Sequence, residues 1–214
     1  MKKTITSSLL AAALSATTGH AAITYVDATT ANTTFGDGSA FAPIGGADTD
    51  GHWGSRTVFG NGGEIYTSRA DEDSPELRTT ISGLTAGTYN AYAFYWVAGW
   101  VDGNDPTGNN QWDFAAGLAS GNTSEYLWNE GTQTQASDFA GTVMVEEGNR
   151  RLFMIDLGNV AVDGSGELAI YIDDNPGNDD RTWYDGVGYQ TVPEPSSAAL
   201  IGLGGLSLIL RRRK

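Results

Sequence analysis

Cysteine is absent from all 214 residues, so neither a disulfide nor thiolate chemistry is available to this chain. Histidine occurs only as His20 and His52. His20 falls in a segment read below as removed, and one remaining imidazole excludes a His/Cys zinc site or a Cys-His dyad. No Gly-x-Ser-x-Gly elbow surrounds any serine, so a Ser-His-Asp triad has no nucleophile in its usual setting. Lysine is confined to Lys2, Lys3 and Lys214. Between residues 22 and 190 the cations are Arg56, Arg69, Arg78, Arg150, Arg151 and Arg181, against 25 Asp and Glu, a net charge of −19 that the whole-chain value of −14 conceals. Such a charge repels nucleic acid and anionic membrane surfaces. It suits solubility in salty water or the binding of divalent cations. Helical periodicity and a fixed-period repeat are also lacking between the two ends, which argues against a helical domain, a solenoid or a propeller.

The ends are different in kind. Lys2 and Lys3 precede a mostly apolar stretch over residues 5–16, and Gly19, His20 and Ala21 put small residues three and one before a cut after Ala21. This is the layout of a helical secretory signal peptide over residues 1–21, handled by export machinery and signal peptidase. At the other end Val192, Pro193, Glu194 and Pro195 are followed by an apolar run over 198–210 and by Arg211, Arg212, Arg213 and Lys214. A short transmembrane helix of that length reaches about 20 Å, against a hydrocarbon core of ~30 Å, so the tail holds the chain at a membrane only transiently. The terminal cations fix the tail on the cytoplasmic side and leave the preceding domain outside. These residues closely resemble the PEP-CTERM sorting signal of exopolysaccharide-producing bacteria. The resemblance implies an exosortase-type membrane protease as partner and processing near Pro193, Glu194 and Pro195; a simple tail anchor is the alternative.

Residues 22–190 are long enough for one domain with a substantial core. Gly, Thr, Asn and Asp are scattered among short apolar or alternating runs about ten residues apart, which reads as an all-β sandwich or barrel. Strands are expected over 23–27, 55–59, 64–68, 76–82, 88–97, 111–117, 125–128, 142–146, 151–157, 167–173 and 182–190. The segment 88–97 is apolar on both alternating faces and reads as a central strand, entered through a turn with positive φ at Gly87. The last strand is expected to return beside the first. The turn-and-strand Ser82, Gly83, Leu84, Thr85, Ala86, Gly87, Thr88, Tyr89 and the closing Tyr184, Asp185, Gly186, Val187 resemble the galactose-binding-like jelly rolls that include many carbohydrate-binding modules. That implies a two-sheet antiparallel jelly roll, with a concanavalin-like sandwich as its nearest competitor.

Six tryptophans are the most suggestive feature for binding, because sugar C–H faces stack on aromatic rings while hydroxyls meet nearby polar groups. Trp53 and Trp100 sit in polar loops and are candidate platforms. Trp96 and Trp112 fall in strands and read as core. Trp183 and Tyr184 point to opposite faces, one expected buried and the other exposed. With Arg56 and Asp185 added, the candidate glycan-binding set is Trp53, Arg56, Trp100, Trp183, Tyr184 and Asp185. Calcium is the candidate cofactor, because two loops, 102–110 and 173–180, concentrate hard oxygen ligands around Gly and Pro turns. The second loop is preferred, with Asp173, Asp174, Asp179 and Asp180 as ligands. No carboxylate pair stands out for glycoside hydrolysis, and the reading is non-catalytic. The chain is expected to be exported to the envelope or extracellular matrix, where it binds glycan or exopolysaccharide. The alternative is a structural matrix protein with no small ligand.

Overall fold

The computed structural model describes residues 21–45, 51–57, 60–69, 73–98, 114–125, 134–136, 143–174 and 181–193. The expected signal peptide short of Ala21, the tail beyond Pro193 and the helices expected in both lie outside the described residues. No helix among the described residues is long and apolar enough to cross a membrane.

Within those bounds the chain is all-β apart from a single 3-10 turn at Asn61–Gly63. The strands are β1 (Thr24–Asp27), β2 (Thr33–Phe35), β3 (Ile44–Gly45), β4 (Gly54–Arg56), β5 (Ile65–Arg69), β6 (Leu77–Ile81), β7 (Gly87–Ala98), β8 (Ala115–Gly117), β9 (Ser124–Glu125), β10 (Thr134–Gln135), β11 (Glu146–Glu147), β12 (Arg150–Val162), β13 (Leu168–Asp173) and β14 (Arg181–Thr191). The larger sheet runs β10-β12-β7-β14-β5-β4-β3, with β1 also on β14 and β11 also on β12; the smaller runs β2-β6-β13-β8-β9. Pairing is antiparallel except between β3 and β4, which are parallel.

The sequence pattern explains the two layers. In β6 and β13 buried and half-buried residues alternate, so Leu77, Thr79 and Ile81, with Leu168, Ile170 and Ile172, form one inner face. In β7 every residue from Ala91 to Val97 is buried, as a strand covered on both faces requires. The layers meet through aromatic rings. Phe114, just before β8, stacks on Tyr95 of β7 with centroids 5.0 Å apart, and the Tyr184 hydroxyl of β14 donates to Thr79 Oγ1 at 2.6 Å. The last strand lies beside the first, Thr24 opposite Tyr189 and Asp27 opposite Gly186, and the Gln190 amide reaches the main-chain oxygen of Ala21.

Several expectations need correction. The positive φ before β7 falls on Gly83 (φ 80), while Gly87 already belongs to the strand. Residues 143–145, expected as strand, are not strand, and β11 begins at Glu146. β12 continues well past residue 157, because Asp156 Oδ1 accepts the amide of Gly158 at 2.8 Å and the register slips by one residue there. This bulge lets a sequence that reads as a turn stay in the sheet. The short strands β2, β3 and β10 carry no periodic signal and were not expected.

Candidate functional site

Three clusters gather the chemistry of the domain. The first is a cleft at one end of the smaller sheet, about 660 Å³ in volume, bounded by the end of β2, the segment before β6, the turn after β8 and the end of β13. Pairing of β13 with both β6 and β8 delivers Asp173 to it, since Ile172 faces Leu77 and Asp173 faces Ala115. Oxygens of Asp73, Asp173 and Asp174 lie within 4.8 Å of one another. Asp174 is buried and oriented: its carboxylate accepts the Ser68 hydroxyl and the Ser74 amide, the latter at 3.1 Å. Glu76 ties the rim together by accepting the Ser120 hydroxyl at 2.7 Å and the Gly121 amide at 2.8 Å, while its carbonyl accepts the Gly36 amide at 2.7 Å. Burial, with the Asp174, Asp73 and Glu76 charges beside it, pushes the Asp173 carboxyl up to about 7. Burial also raises Asp174, against the lowering pull of its serine donors.

Two ligands on one Ca²⁺ at ~2.5 Å each can be at most about 5 Å apart, so the three carboxylates are spaced as a shared divalent cation requires. Such an ion would relieve the repulsion that raises Asp173. Of the four calcium ligands expected from sequence, the structure brings together Asp173 and Asp174; Asp179 and Asp180, like the loop 102–110, lie outside the described residues. Asp73 was missed, because it is a hundred residues away and arrives only through the β6–β13 pairing. The only available signal was the density of acids immediately before β6.

The second cluster is on the outer face of the larger sheet. Tyr184 and Tyr95 are partners and point inward, so their neighbours Trp183 and Trp96 point outward. Arg181, two residues from Trp183, shares that face, as does its partner Arg69. Arg56 shares it too, its guanidinium 5.0 Å from the centre of the Trp183 ring. Arg150, opposite Ala98, completes the set. Four of the six arginines of a strongly acidic domain are thus on one face, each half-buried. Arg56 and Trp183 of the expected glycan set are neighbours on this face, and strand parity adds Arg69, Arg150 and Arg181 to it.

The third cluster surrounds Asp185, fully buried at the irregularity between Tyr184 and Gly186. Its carboxylate accepts the Asn61 amide at 3.0 Å and the Asn61 side-chain amide at 2.8 Å. Asn61 also bonds both main-chain groups of Met144. The Asp185 carbonyl accepts the Tyr25 hydroxyl at 3.0 Å and the Ala28 amide at 3.1 Å. Burial lifts the carboxyl to about 7 in spite of donors from Asn61, Trp96 and Tyr25. Nearby Asp27 rises to about 6, chiefly by burial.

The remaining members of the expected glycan set are placed as follows. Trp53 is buried and donates its Nε1–H to the Pro75 carbonyl at 2.7 Å, which braces the cleft segment before β6. Trp183 and Tyr184 do point to opposite faces, but both are buried, because β14 is covered on each side. Trp96 is core, as expected, while Trp100, Trp112 and Trp128 lie outside the described residues. His52 is exposed.

Comparison with known proteins adds the following. Residues 191–214 match the PEP-CTERM protein-sorting motif. No curated protein sequence matches the chain. Similar solved structures include a family 35 carbohydrate binding module from Clostridium thermocellum, 14% identical, covering 78% of this chain and 98% of the module at a TM-score of 0.44. Another is the Podospora anserina GH26-CBM35 beta-(1,4)-mannanase, 18% identical, covering 77% of this chain and 28% of the mannanase at a TM-score of 0.40.

Proposed function

We propose that this is an exported, non-catalytic β-sandwich that binds glycan in the acidic cleft, with a divalent cation held by Asp73, Asp173 and Asp174. The observation that carries the reading is the cleft itself: an open hollow of about 660 Å³ lined by carboxylates, hydroxyls, small residues and the Phe35 ring. Its volume is within the range of small-ligand sites, and its polar groups match sugar hydroxyls. Calcium would supply a Lewis-acidic coordination point for ligand oxygens. Ser68 and Ser74 hold Asp174 in place, and Glu76 with Ser120 and Gly121 holds the rim. Three carboxylates whose oxygens converge within 4.8 Å of one another supply the hard-oxygen ligands that a divalent cation takes. The sorting motif at residues 191–214 supports delivery to the cell envelope or matrix, with a membrane-processing partner.

Affinity electrophoresis in gels cast with acidic and neutral polysaccharides tests this reading. Retardation is expected with calcium present and not with a chelator; unchanged mobility in every gel would sink it. The second reading, a matrix protein with no small ligand, is favoured by the burial of Trp53, Trp96 and Trp183. Full protection of all tryptophans from acrylamide quenching, together with unchanged mobility, would establish it instead.

A further inference from the structure

The sorting motif begins where the sheet ends, with no spacer. Thr191 is still paired with Tyr89, and the Val192 amide donates to the Thr88 carbonyl at 3.0 Å. Pro193 follows directly, and the apolar run begins at Ala198. Five residue steps span at most about 18 Å in any conformation. A headgroup layer takes up about 6 Å of that, leaving on the order of 12 Å, the width of a single helix. Anything that grips the motif at a membrane surface therefore also touches the folded domain.

At this place the domain offers a shaped surface. A pocket of about 430 Å³ is lined by Asn90, Asp156, Asn159 and Gln190 together with Val192 and Pro193 of the tail itself. Asn159, Asn90 and Gln190 are successive cross-strand partners on β12, β7 and β14, so three amides stand in a row on one face. Asn90 and Gln190 are ordered in advance. The Asn90 side-chain amide donates to the Tyr92 hydroxyl at 2.8 Å and to Asp156 Oδ2 at 3.0 Å, and that hydroxyl donates to Gln190 Oε1 at 3.1 Å. Among the described residues of the lining Asp156 is the only charged one, and it is exposed.

We propose that this amide-lined pocket is a docking site for the membrane partner that processes the sorting motif, so that the partner reads the folded domain as well as the peptide. The inference rests on the sorting-motif reading of residues 191–214. The pocket fits a loop that presents hydrogen-bond donors, with an Arg or Lys opposite Asp156. Its continuity with Val192 and Pro193 ties the occupant to the machinery that acts on the tail.

A pulse-chase of the full chain in an exporting host that carries the sorting machinery, following conversion to the shortened form, provides the test. A six-residue Gly/Ser insertion between Thr191 and Val192 keeps the motif intact but detaches it from the pocket, and Asn159→Arg blocks the pocket from an exposed position. Each is expected to slow processing about five-fold or more with the melting temperature unchanged, while Asn122→Arg, exposed between β8 and β9, leaves the rate as it was. Processing at the wild-type rate in both, or faster processing with the spacer, overturns the proposal; in the latter case the domain is an obstacle. Normal processing of Asn159→Arg with lost retardation by polysaccharide would assign the pocket to glycan and overturn it equally. Glu194→Ala separates the two levels: a chain whose processing ignores that change, or that is never processed, defeats the sorting reading itself.

Discussion

Asp185 and Asp173 are the same residue type, and burial lifts both carboxyls to about 7, yet their surroundings are opposite. Asp185 is met chiefly by donors, from Asn61, Trp96 and Tyr25, with the Asp27 charge nearby. Asp173 is met by acids, from Asp174, Asp73 and Glu76, at the edge of an open cleft. The raised pKa alone therefore does not mark a site. A buried acid surrounded by donors is a structural fastener, here joining β14 to the Asn61 turn and the Met144 segment. A half-buried acid surrounded by acids retains an electrostatic deficit that a cation can remove.

The largest expected effect breaks the fastener. Asp185→Ala takes the acceptor from the half-buried Asn61 main-chain amide, from one N–H of its side chain and from Trp96, which should cost about 3 kcal/mol or more. That corresponds to a fall of about 6–12 °C in melting temperature for a domain of this size, measured by calorimetry. A loss no larger than that of an exposed substitution would show that Asp185 does not fasten the fold.

The cleft should respond in the other direction. Asp173→Asn removes one charge from the cluster, so its melting temperature in chelator should exceed wild type by a few degrees. Wild type should gain stability with calcium by mass action, about 2.7 kcal/mol at a hundredfold excess over Kd, and Asp173→Asn should gain little or none. Equal calcium responses in the two proteins would remove Asp173 from the cation site.

Changing pH tests both places at once. For Asp185, Asp173 and Asp27 the folded state holds a proton that the unfolded chain releases near pH 4. Their contribution to stability is complete below that value and is lost as pH rises through about 6 to 7. In chelator the protein should melt a few degrees higher at about pH 5 than at about pH 8. The difference should shrink in Asp173→Asn but persist, because Asp185 and Asp27 still titrate. A melting temperature independent of pH over this window would contradict the buried-acid assignments.

The smallest effect concerns the turn that the fastener holds. Gly62 has φ 77, and a Cβ there would collide with the Asp27 carboxylate. Gly62→Ala should destabilise by about 1–2 kcal/mol, read from the denaturant midpoint at unchanged slope. A neutral result would show that the turn is not pressed against β1.

What could be read beforehand followed the range of the interactions. β7 was legible because both its alternating faces are apolar, and β13 because Leu168, Ile170 and Ile172 alternate with polar neighbours. The pairing of the closing strand with β1 followed from the placement of the termini. The strand expected over 151–157 stops short of the observed β12 because Gly158 and Asn159 have turn chemistry; only the bond that the Gly158 amide donates to Asp156 Oδ1 shows that a bulge forms there. Asp173 and Asp174 were found from local acid density, but Asp73 needed the sheet register. The tryptophans were the least legible. A Trp on the outer face of β14 reads as exposed unless something covers that face, and Trp183 is covered.

The central claim, that the cleft is a cation-dependent glycan site, is tested most directly by amide NMR spectra of labelled protein titrated with oligosaccharides in calcium and in chelator. The predicted result is that the amides of Gly36, Ser74, Ser120 and Gly121 shift with calcium present, and that the shifts vanish in chelator or in Asp73→Asn. Shifts confined to other surfaces, or the same shifts without calcium, would contradict it.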